Sequence, residues 1–321
     1  MSRHERTSLR RSIEWADVVH LHGVWDLLLL KAAAIARKAG VPYVIAPHGM
    51  LDPWSLAQSY LKKKLALRLT HHKMISAAAA MHALNDTEMR LWYPLGIKVP
   101  VAVCANGIHV HDVPATDAAR LSHLRERLGA VDKDVILFLG RLHHKKGLDI
   151  LAKAFSIVAK QRPTAMLVVA GPDDGALKPF MFAVDSAGVT GRLRILGPIF
   201  GDEKYDLMRL AKVFCLPSRQ EGFSLAILEA LACGLPVVIS RDCHFDEVAE
   251  AGVGRVGELD PGWFAEQIVW ILEHDSARQE MSMRAAPWIE KNYTWEKINN
   301  QLIDLYRSCI AALPLRPDDE R

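Results

Sequence analysis

Short apolar runs alternate with amphipathic stretches along most of the chain. Each run has the length of a β-strand, and in the stretch that follows it apolar residues recur with the period of a helix. The strands predicted in this way lie at residues 17–22, 42–46, 78–84, 99–105, 134–139, 165–170, 192–196, 213–216 and 236–240. Such alternation indicates an α/β fold with parallel, doubly wound sheets, because a parallel crossover needs a helix.

The alternation is interrupted at the segment HDVPAT (residues 111–116), after which a new helix at 117–128 precedes a new run of strands. We therefore predict two Rossmann-like domains, at residues 1–112 and 113–295. Residues 296–321 are predicted to form a carboxy-terminal helix, which could return across the first domain, and a polar tail.

Composition excludes several classes of protein. Half of the 321 residues are apolar, which is enough for the cores of two domains. No apolar run is long enough to span a membrane, and residues 1–11 lack the apolar centre of a signal peptide, so a cytoplasmic protein is expected. The five cysteines are scattered without a Cys-x-x-Cys motif and are predicted to be reduced, with neither a disulfide framework nor a zinc site.

The net charge of +3 conceals one strongly basic segment, residues 60–73, which contains no acidic residue. Its cations are Lys62, Lys63, Lys64, Arg68 and Lys73, and Leu61, Leu65 and Leu69 recur every four residues. This pattern predicts a basic amphipathic helix. The simpler interpretation is a core helix with a solvated basic face, and the alternative is contact with an anionic membrane surface or an anionic acceptor. Nucleic acid is not expected, because no aromatic residues interleave these charges.

Polar residues and glycines follow the predicted strands. Open parallel sheets bind ligands beyond the carboxyl ends of their strands, so these positions are candidate binding residues. In the first domain they are His20, His22, Gly23, His48, Gly49, Asn106 and Gly107, and in the second they are Gly140, Arg141, Gly171, Gly197 and Ser218. Two such edges facing one another would form a cleft between the domains.

The loop GRLHHKKG (residues 140–147) follows a predicted strand and precedes a helix. Arg141 offers a planar fork and Lys146 a compact charge, which together suit a diphosphate. The loop is not a Walker A motif, because that motif requires a lysine directly after its second glycine and then Ser or Thr, whereas Leu148 follows Gly147. Taken alone, it could equally be a solvated basic turn.

The stretch EGFSLAILEALACGLPVVIS (residues 221–240) combines two carboxylates with a helix start. Gly222 permits a sharp turn, Ser224 can cap a helix over 225–232, and a buried strand follows. Glu221 precedes the helix and Glu229 lies within it. Both can face a ligand at the helix N-terminus, where free amides and the dipole favour a phosphate.

Three further patterns resemble ligand-binding or metal-binding motifs, but we do not predict a binding site at any of them. AGVGRVG (251–257) matches G-x-G-x-x-G but follows a helical stretch and opens no helix, so it is not a dinucleotide fingerprint. The D-x-D at residues 132–134 precedes its strand and is predicted to be a solvated turn. His20 and His22 share a strand face, but no carboxylate or cysteine nearby completes a metal site.

The motifs together resemble one family. They are PHGMLDPW, ANGI, GRLHHKKGLDILAKAF, VVAGPDDG, LGPIFGDEKYDLM and CLPSRQEGFSLAILEALACGLPVVIS. Over about residues 17–300 they resemble the retaining nucleotide-sugar glycosyltransferases of the GT-B fold, the glycosyltransferase group 1 family. The resemblance implies two Rossmann-like domains facing a cleft, the first on the acceptor side and the second binding the donor.

The resemblance also implies roles for individual residues. Arg141, Lys146 and the amides of Ser224 and Leu225 would hold the donor diphosphate. Glu229 would bind the ribose hydroxyls, Glu221 would approach the donor sugar, and His48 would contact the transferred sugar. The predicted catalytic residues are His48, Arg141, Lys146 and Glu221, and the predicted donor-binding residues are Gly140, Arg141, Lys146, Gly197, Glu221, Gly222, Phe223, Ser224, Leu225 and Glu229.

The implied reaction transfers a hexose from a nucleoside-diphosphate sugar to a polysaccharide or lipid-linked acceptor with retention of configuration. Neither a metal nor another cofactor is expected, and the enzyme would act in the cytoplasm or at the inner face of the membrane. Family members usually carry a strand and a glycine-rich loop before the segment VVHLHG, whereas sixteen residues precede Asp17 here. The first domain is therefore predicted to be incomplete, and the alternative function is a nucleotide-sugar-binding module or an inactive truncated homologue.

Overall fold

A computed structural model describes residues 2–312. They form two compact units, of which the first holds the chain up to Asn106 and the helix after Trp295, and the second holds Gly107–Trp295. The boundary therefore lies earlier than the predicted one after residue 112. The predicted polar tail lies outside the described residues.

The first unit contains a four-stranded parallel sheet of order β1-β2-β3-β4, flanked by helices. The strands are β1 (Val19–His22), β2 (Tyr43–Ala46), β3 (Ala80–Ala83) and β4 (Val101–Val103). The helices are α1 (Arg3–Trp15), α2 (Leu27–Ala39), α3 (Pro53–Ala57), α4 (Tyr60–Ala66), α5 (His72–Ser76) and α6 (Asp86–Leu91), and a π-helical turn, Leu67–His71, joins α4 to α5.

The second unit contains a six-stranded parallel sheet of order β10-β9-β8-β5-β6-β7. Its strands are β5 (Asp134–Leu139), β6 (Ala165–Ala170), β7 (Leu193–Gly197), β8 (Val213–Leu216), β9 (Val237–Ser240) and β10 (Gly254–Gly257). Its helices are α7 (Ala118–Leu128), α8 (Leu148–Gln161), α9 (Leu177–Ser186), α10 (Gly201–Leu210), α11 (Leu225–Ala232), α12 (Glu247–Glu250), α13 (Pro261–Glu273) and α14 (Asp275–Asn292). The last helix of the chain, α15 (Trp295–Ala311), packs Leu305 and Cys309 against Val44 and Ala80 of the first sheet.

The fold class is confirmed, and every predicted strand is present. Strands such as β6 are buried along their whole length, which explains their continuous apolar sequence. Strand β10 was not predicted, because its sequence GRVG lies in the rejected glycine motif. As expected, that motif opens no helix, and its residues Gly254–Gly257 form the strand.

The ends of α7 show how local sequence sets the helix boundaries. Asp117 accepts hydrogen bonds from the amides of Ala119 and Arg120, and the helix ends at Gly129, which has a φ of 64°. A capping carboxylate and a left-handed glycine are standard helix terminators, so the prediction over 117–128 is confirmed.

The prediction of a solvated turn at residues 132–134 is wrong for Asp134. This carboxylate is buried and accepts hydrogen bonds from Lys212 Nζ at 2.6 Å, Thr164 Oγ1 at 2.5 Å and Arg162 Nη2 at 3.2 Å. Its partners come from other strands and loops, so the local sequence carried no signal for them.

The simpler interpretation of the basic segment is also wrong. Leu61, Leu65 and Leu69 do not enter the core but are 78%, 58% and 71% exposed, and α4 has no buried residue. We call these three side chains the leucine ridge.

Candidate active site

Two loops of the second unit meet at the carboxyl ends of the neighbouring strands β5 and β8. The Arg219 amide donates to the Lys145 carbonyl at 2.6 Å. The Arg219 guanidinium forms a bidentate pair with Asp149, with N–O distances of 2.8 Å and 2.7 Å. These contacts join loop 140–147 to the loop that leads into α11. The structure therefore brings together the two segments that the sequence marked as phosphate-facing.

Close packing of the same loops depends on Gly147. Its φ is 68°, and a Cβ placed on it would lie 1.8 Å from the Pro217 carbonyl oxygen. Both the backbone conformation and the space therefore require glycine at this position.

Lys146 forms a partly buried ion pair with Glu221. Lys146 Nζ lies 2.7 Å from Glu221 Oε1, and the side chains are 13% and 7% exposed. Ser218 Oγ donates to the same carboxylate oxygen at 2.5 Å. An ammonium group has three donors, so two remain for a ligand after the bond to Glu221.

Helix α11 begins and ends where the sequence predicted, with Ser224 at the N-cap position. Ser224 does not cap the helix with its side chain, contrary to expectation. The amides of Leu225 and Ala226 donate no hydrogen bond within the described residues, as the geometry of a helix start leads one to expect. They remain available to an anion.

Glu229 has a partner that sequence reasoning missed. Lys204 Nζ, from α10, lies 2.7 Å from Glu229 Oε1, and both side chains are 20% exposed. Burial alone would lower the pKa of Lys204, but the hydrogen bond and charge of Glu229 raise it overall. Lys204 stands in the motif GDEKYDLM, yet no spacing in the sequence pairs it with Glu229.

The other predicted donor-binding residues occupy different environments. Arg141 is exposed and pairs with Asp174 at 2.8 Å. Gly140 directly follows strand β5 and Gly197 ends strand β7, and a Cβ on Gly197 would meet nothing within 4 Å. Gly222 is half-buried in the turn, whereas the Phe223 ring packs against Phe245 and Tyr293, at centroid distances of 4.9 Å and 6.0 Å. The structure therefore places the Phe223 ring within an aromatic cluster of the second unit.

The first unit carries a histidine cluster at the carboxyl edge of its sheet. His22 Nδ1 lies 2.8 Å from His48 Nε2, and His20 Nδ1 lies 2.8 Å from the Tyr306 hydroxyl. His82, which was not singled out in the sequence, is buried beside them and bonds the Cys104 carbonyl at 2.7 Å. His48 has a φ of 53°, a strained conformation for a non-glycine residue.

A buried carboxylate, Glu88, supports the loop that holds His48. It accepts hydrogen bonds from the Gly49 and Leu84 amides, each at 2.7 Å. Burial raises the pKa of Glu88 to about 7, although both amide bonds oppose that shift. Sequence reasoning missed this residue, because an acid in a helix ordinarily faces solvent.

We expect the stability of the first unit to fall as the solution is acidified below about pH 6.5. Burial, together with the charges of neighbouring histidines, lowers the pKa of His20 to about 3 and of His48 to about 4, from 6.5. Between pH 6.5 and these lowered pKa values, the two histidines bind more protons in the unfolded chain than in the folded chain, so acid favours unfolding. The raised pKa of Glu88 has the opposite effect, because this carboxyl takes up its proton more readily in the folded chain. One such group offsets only part of the effect of the two histidines.

Thermal unfolding followed between about pH 7 and pH 5 measures this effect. His48→Gln should flatten the dependence and Glu88→Gln should steepen it. Unfolding midpoints that do not change over this range would contradict the expectation.

Within residues 2–312, no three His, Cys, Asp or Glu side chains are grouped so that they could hold a metal ion. All five cysteines are free, and four of them are buried. The expectation that the reaction needs no metal stays a prediction, which activity in the presence of a chelator would test.

Comparison with known proteins agrees with the fold. The family described as Glycosyl transferases group 1 matches residues 122–288, just over half of the chain, and a Glycosyl transferase 4-like domain matches residues 3–107. The family matches and the two parallel-sheet units together support a nucleotide-sugar glycosyltransferase of the GT-B fold. The chain belongs to the group 1 glycosyltransferase family.

Two relatives are each named D-inositol 3-phosphate glycosyltransferase. The protein from Jonesia denitrificans is 32% identical over 96% of this chain and 75% of its own length. The protein from Xylanimonas cellulosilytica is 28% identical over 97% of this chain and 76% of its own length. Among solved structures, Anabaena HepE in complex with UDP and glucose superposes with a TM-score of 0.80, at 20% identity, over 94% of this chain and 81% of that one. At 20% identity, the similarity to HepE supports the fold alone.

Proposed function

We propose that the protein transfers a hexose from a nucleoside-diphosphate sugar to a polysaccharide or lipid-linked acceptor, with retention of configuration. The observation that carries this proposal is the arrangement around Lys146. Its ammonium group, paired with Glu221, shares the edge of the sheet with the unbonded amides at the start of α11. A fixed cation and a helix N-terminus together suit a diphosphate.

The proposed chemistry follows from where charge develops. When the bond between the anomeric carbon and the diphosphate oxygen breaks, its electron pair passes to the diphosphate. Lys146 and the amides of Leu225 and Ala226 stabilise that charge, because they are fixed before the reaction, and Arg141 adds a second cation. The acceptor hydroxyl attacks from the face that the diphosphate leaves, and its proton passes to the departing phosphate oxygen.

Two glutamates have further roles in the proposal. Glu221 fixes the ammonium group of Lys146 and contacts sugar hydroxyls. We do not assign it the role of nucleophile, because double displacement requires a carboxylate under the anomeric carbon. Glu229, held by Lys204, binds the ribose hydroxyls. For His48 the proposed role is contact with the transferred sugar.

Calorimetric titration with UDP and with GDP is the first test of this function. HepE was solved with UDP and with UDP-glucose, which supports starting from uridine donors. We expect one diphosphate to bind, and Glu229→Ala to weaken its binding by about tenfold, as the loss of hydrogen bonds to a charged group implies. Absence of binding to any nucleoside diphosphate would refute the proposal.

Turnover is measured separately, by release of the nucleoside diphosphate from its sugar conjugates. The acceptors to be compared are lipid-linked glycans, polysaccharide fragments and, since the relatives are named for it, inositol 3-phosphate. Binding without turnover on every acceptor would support the alternative, a nucleotide-sugar-binding module.

We extend the proposal to the membrane surface, where a lipid-linked acceptor would be found. The leucine ridge (Leu61, Leu65 and Leu69) is exposed beside Lys62, Lys64 and Arg68. Such a surface can insert its leucines at the headgroup boundary while its cations attract anionic lipid. No helix among residues 2–312 is long and apolar enough to cross a membrane.

Replacing the three leucines of the ridge with serine should lower binding to anionic vesicles by at least about tenfold, since each leucine then buries no apolar surface. Co-sedimentation with phosphatidylglycerol vesicles measures this change. The matched control is Leu27→Ser, which alters another exposed leucine of the same unit and should have little effect. Equal binding by all the variants would exclude the ridge as the membrane contact.

A further inference from the structure

A cavity of about 860 Å³ lies in the first unit, between the segment from α4 to α5 and the loop that leads into β4. Its volume is in the range of small-molecule sites. Among its lining residues, Ile75 and Ser76 precede β3 and Val99 precedes β4. The cavity therefore reaches the amino ends of these strands, at the opposite edge of the sheet from His22 and His48. We call it the basic pocket.

The lining combines an apolar floor with a cationic rim. The floor includes Leu67, Ile75, Leu95, Ile97 and Val99, and the rim cations are Lys64, Arg68 and Lys98. No lining residue is acidic, and no Asp or Glu occurs at residues 53–85 or 91–100.

None of the three rim cations forms an ion pair with a described residue. Within the described residues, Arg68 and Lys98 form no hydrogen bond or ion pair. The one hydrogen bond of the Lys64 ammonium to another residue of the described range is to the Tyr60 hydroxyl, at 3.0 Å. Lys63 differs, because its ammonium donates to the Ser55 carbonyl at 2.5 Å and lies 5.3 Å from the centre of the Trp25 ring. The pocket thus offers positive charge that no carboxylate among residues 2–312 neutralises.

We propose that the basic pocket binds one acyl chain of an anionic phospholipid, with the hydrocarbon on the apolar floor and the headgroup at the rim. Sugars and peptides would lose hydrogen bonds to water on such a floor, whereas a hydrocarbon chain has none to lose. The rim is complementary to an anionic head. This site is distinct from the donor site and from the leucine ridge, and it does not rest on the proposed transfer reaction.

The probe for this proposal is a single-chain lipid, lysophosphatidylglycerol, added to the full chain below its aggregation concentration. Calorimetry should show saturable binding that tightens from the lauroyl to the myristoyl to the palmitoyl compound. The gain should approach about fourfold for each methylene that enters the pocket. Lysophosphatidylcholine of the same chain length should bind more weakly, because its head carries no net charge.

Two charge variants separate the pocket from general electrostatics. Arg68→Gln with Lys98→Gln should weaken binding of the anionic probe by about twenty-five-fold, at roughly fivefold for each cation near the headgroup. Lys62→Gln with Lys73→Gln removes the same charge from exposed residues outside the lining and should change binding less than about twofold. Equal losses in the two variants would overturn the proposal.

A third variant separates the pocket from the leucine ridge. Replacement of Leu61, Leu65 and Leu69 with serine should leave binding of the monomeric probe intact, even where vesicle binding is lost. Ile97→Asp, by contrast, places a carboxylate on the floor and should abolish it. Loss of probe binding in the ridge variant, or no saturable binding below aggregation, would refute an acyl-chain site.

Discussion

Replacing Lys146 with methionine should slow hexose transfer by about 10²–10³-fold, because this removes a cation that is proposed to stabilise the leaving diphosphate. The same change leaves the buried carboxylate of Glu221 with Ser218 as its neighbour but without its cation. Uncompensated burial of a charge should then lower the free energy of unfolding by roughly 3 kcal/mol. Diphosphate release measures the first effect, and denaturant unfolding measures the second.

A double variant tells the two effects apart. Lys146→Met combined with Glu221→Gln removes both charges, so it should recover most of the stability while remaining inactive. Lys153→Met, an exposed lysine on the helix that follows the loop, is the matched control and should change neither quantity. Full activity in Lys146→Met would remove this lysine from the proposed mechanism.

Replacing Gly147 with alanine should lower the free energy of unfolding by about 2–5 kcal/mol. Left-handed backbone costs a residue with a Cβ roughly 1–2 kcal/mol, and overpacking adds a further 1–3 kcal/mol. The overpacking arises because the new Cβ would lie 1.8 Å from the Pro217 carbonyl oxygen. Chemical denaturation measures the loss, and nucleotide binding should weaken with it, since the two loops of the site would be forced apart.

Gly188→Ala is the control for backbone strain alone. Gly188 has a φ of 70°, close to the 68° of Gly147, but a Cβ on it would meet nothing within 4 Å. Its replacement should therefore cost about 1–2 kcal/mol. If both variants lost the same free energy of unfolding, the close approach of position 147 to Pro217 would not contribute to stability.

The strands and several helix boundaries could be predicted because they depend on short stretches of sequence. Strand β6 is apolar throughout, and α11 lies between a turn at Gly222 and a stop after Ala232. The same local reasoning failed where the partner is distant. Asp134 was expected in solvent, although Lys212 and Thr164 bury and bond it.

The candidate site shows the same division. The sequence identified Lys146, Glu221 and Glu229 as candidate ligand-binding residues, because loops after parallel strands and helix N-termini are chemically distinctive. It did not indicate that Lys146 pairs with Glu221, or Lys204 with Glu229. Those pairs form because β8 lies beside β5, and α10 beside α11, which is a consequence of strand order and packing.

By itself, then, the sequence determined the parallel α/β class, most element positions and the family, since periodicity and turn chemistry act over a few residues. Tertiary structure alone decided which side chains meet and which stay exposed. The leucine ridge illustrates this, because its four-residue spacing is the same for a buried and an exposed helix face. Only the packing of neighbouring elements, which leaves these leucines exposed, distinguishes the two.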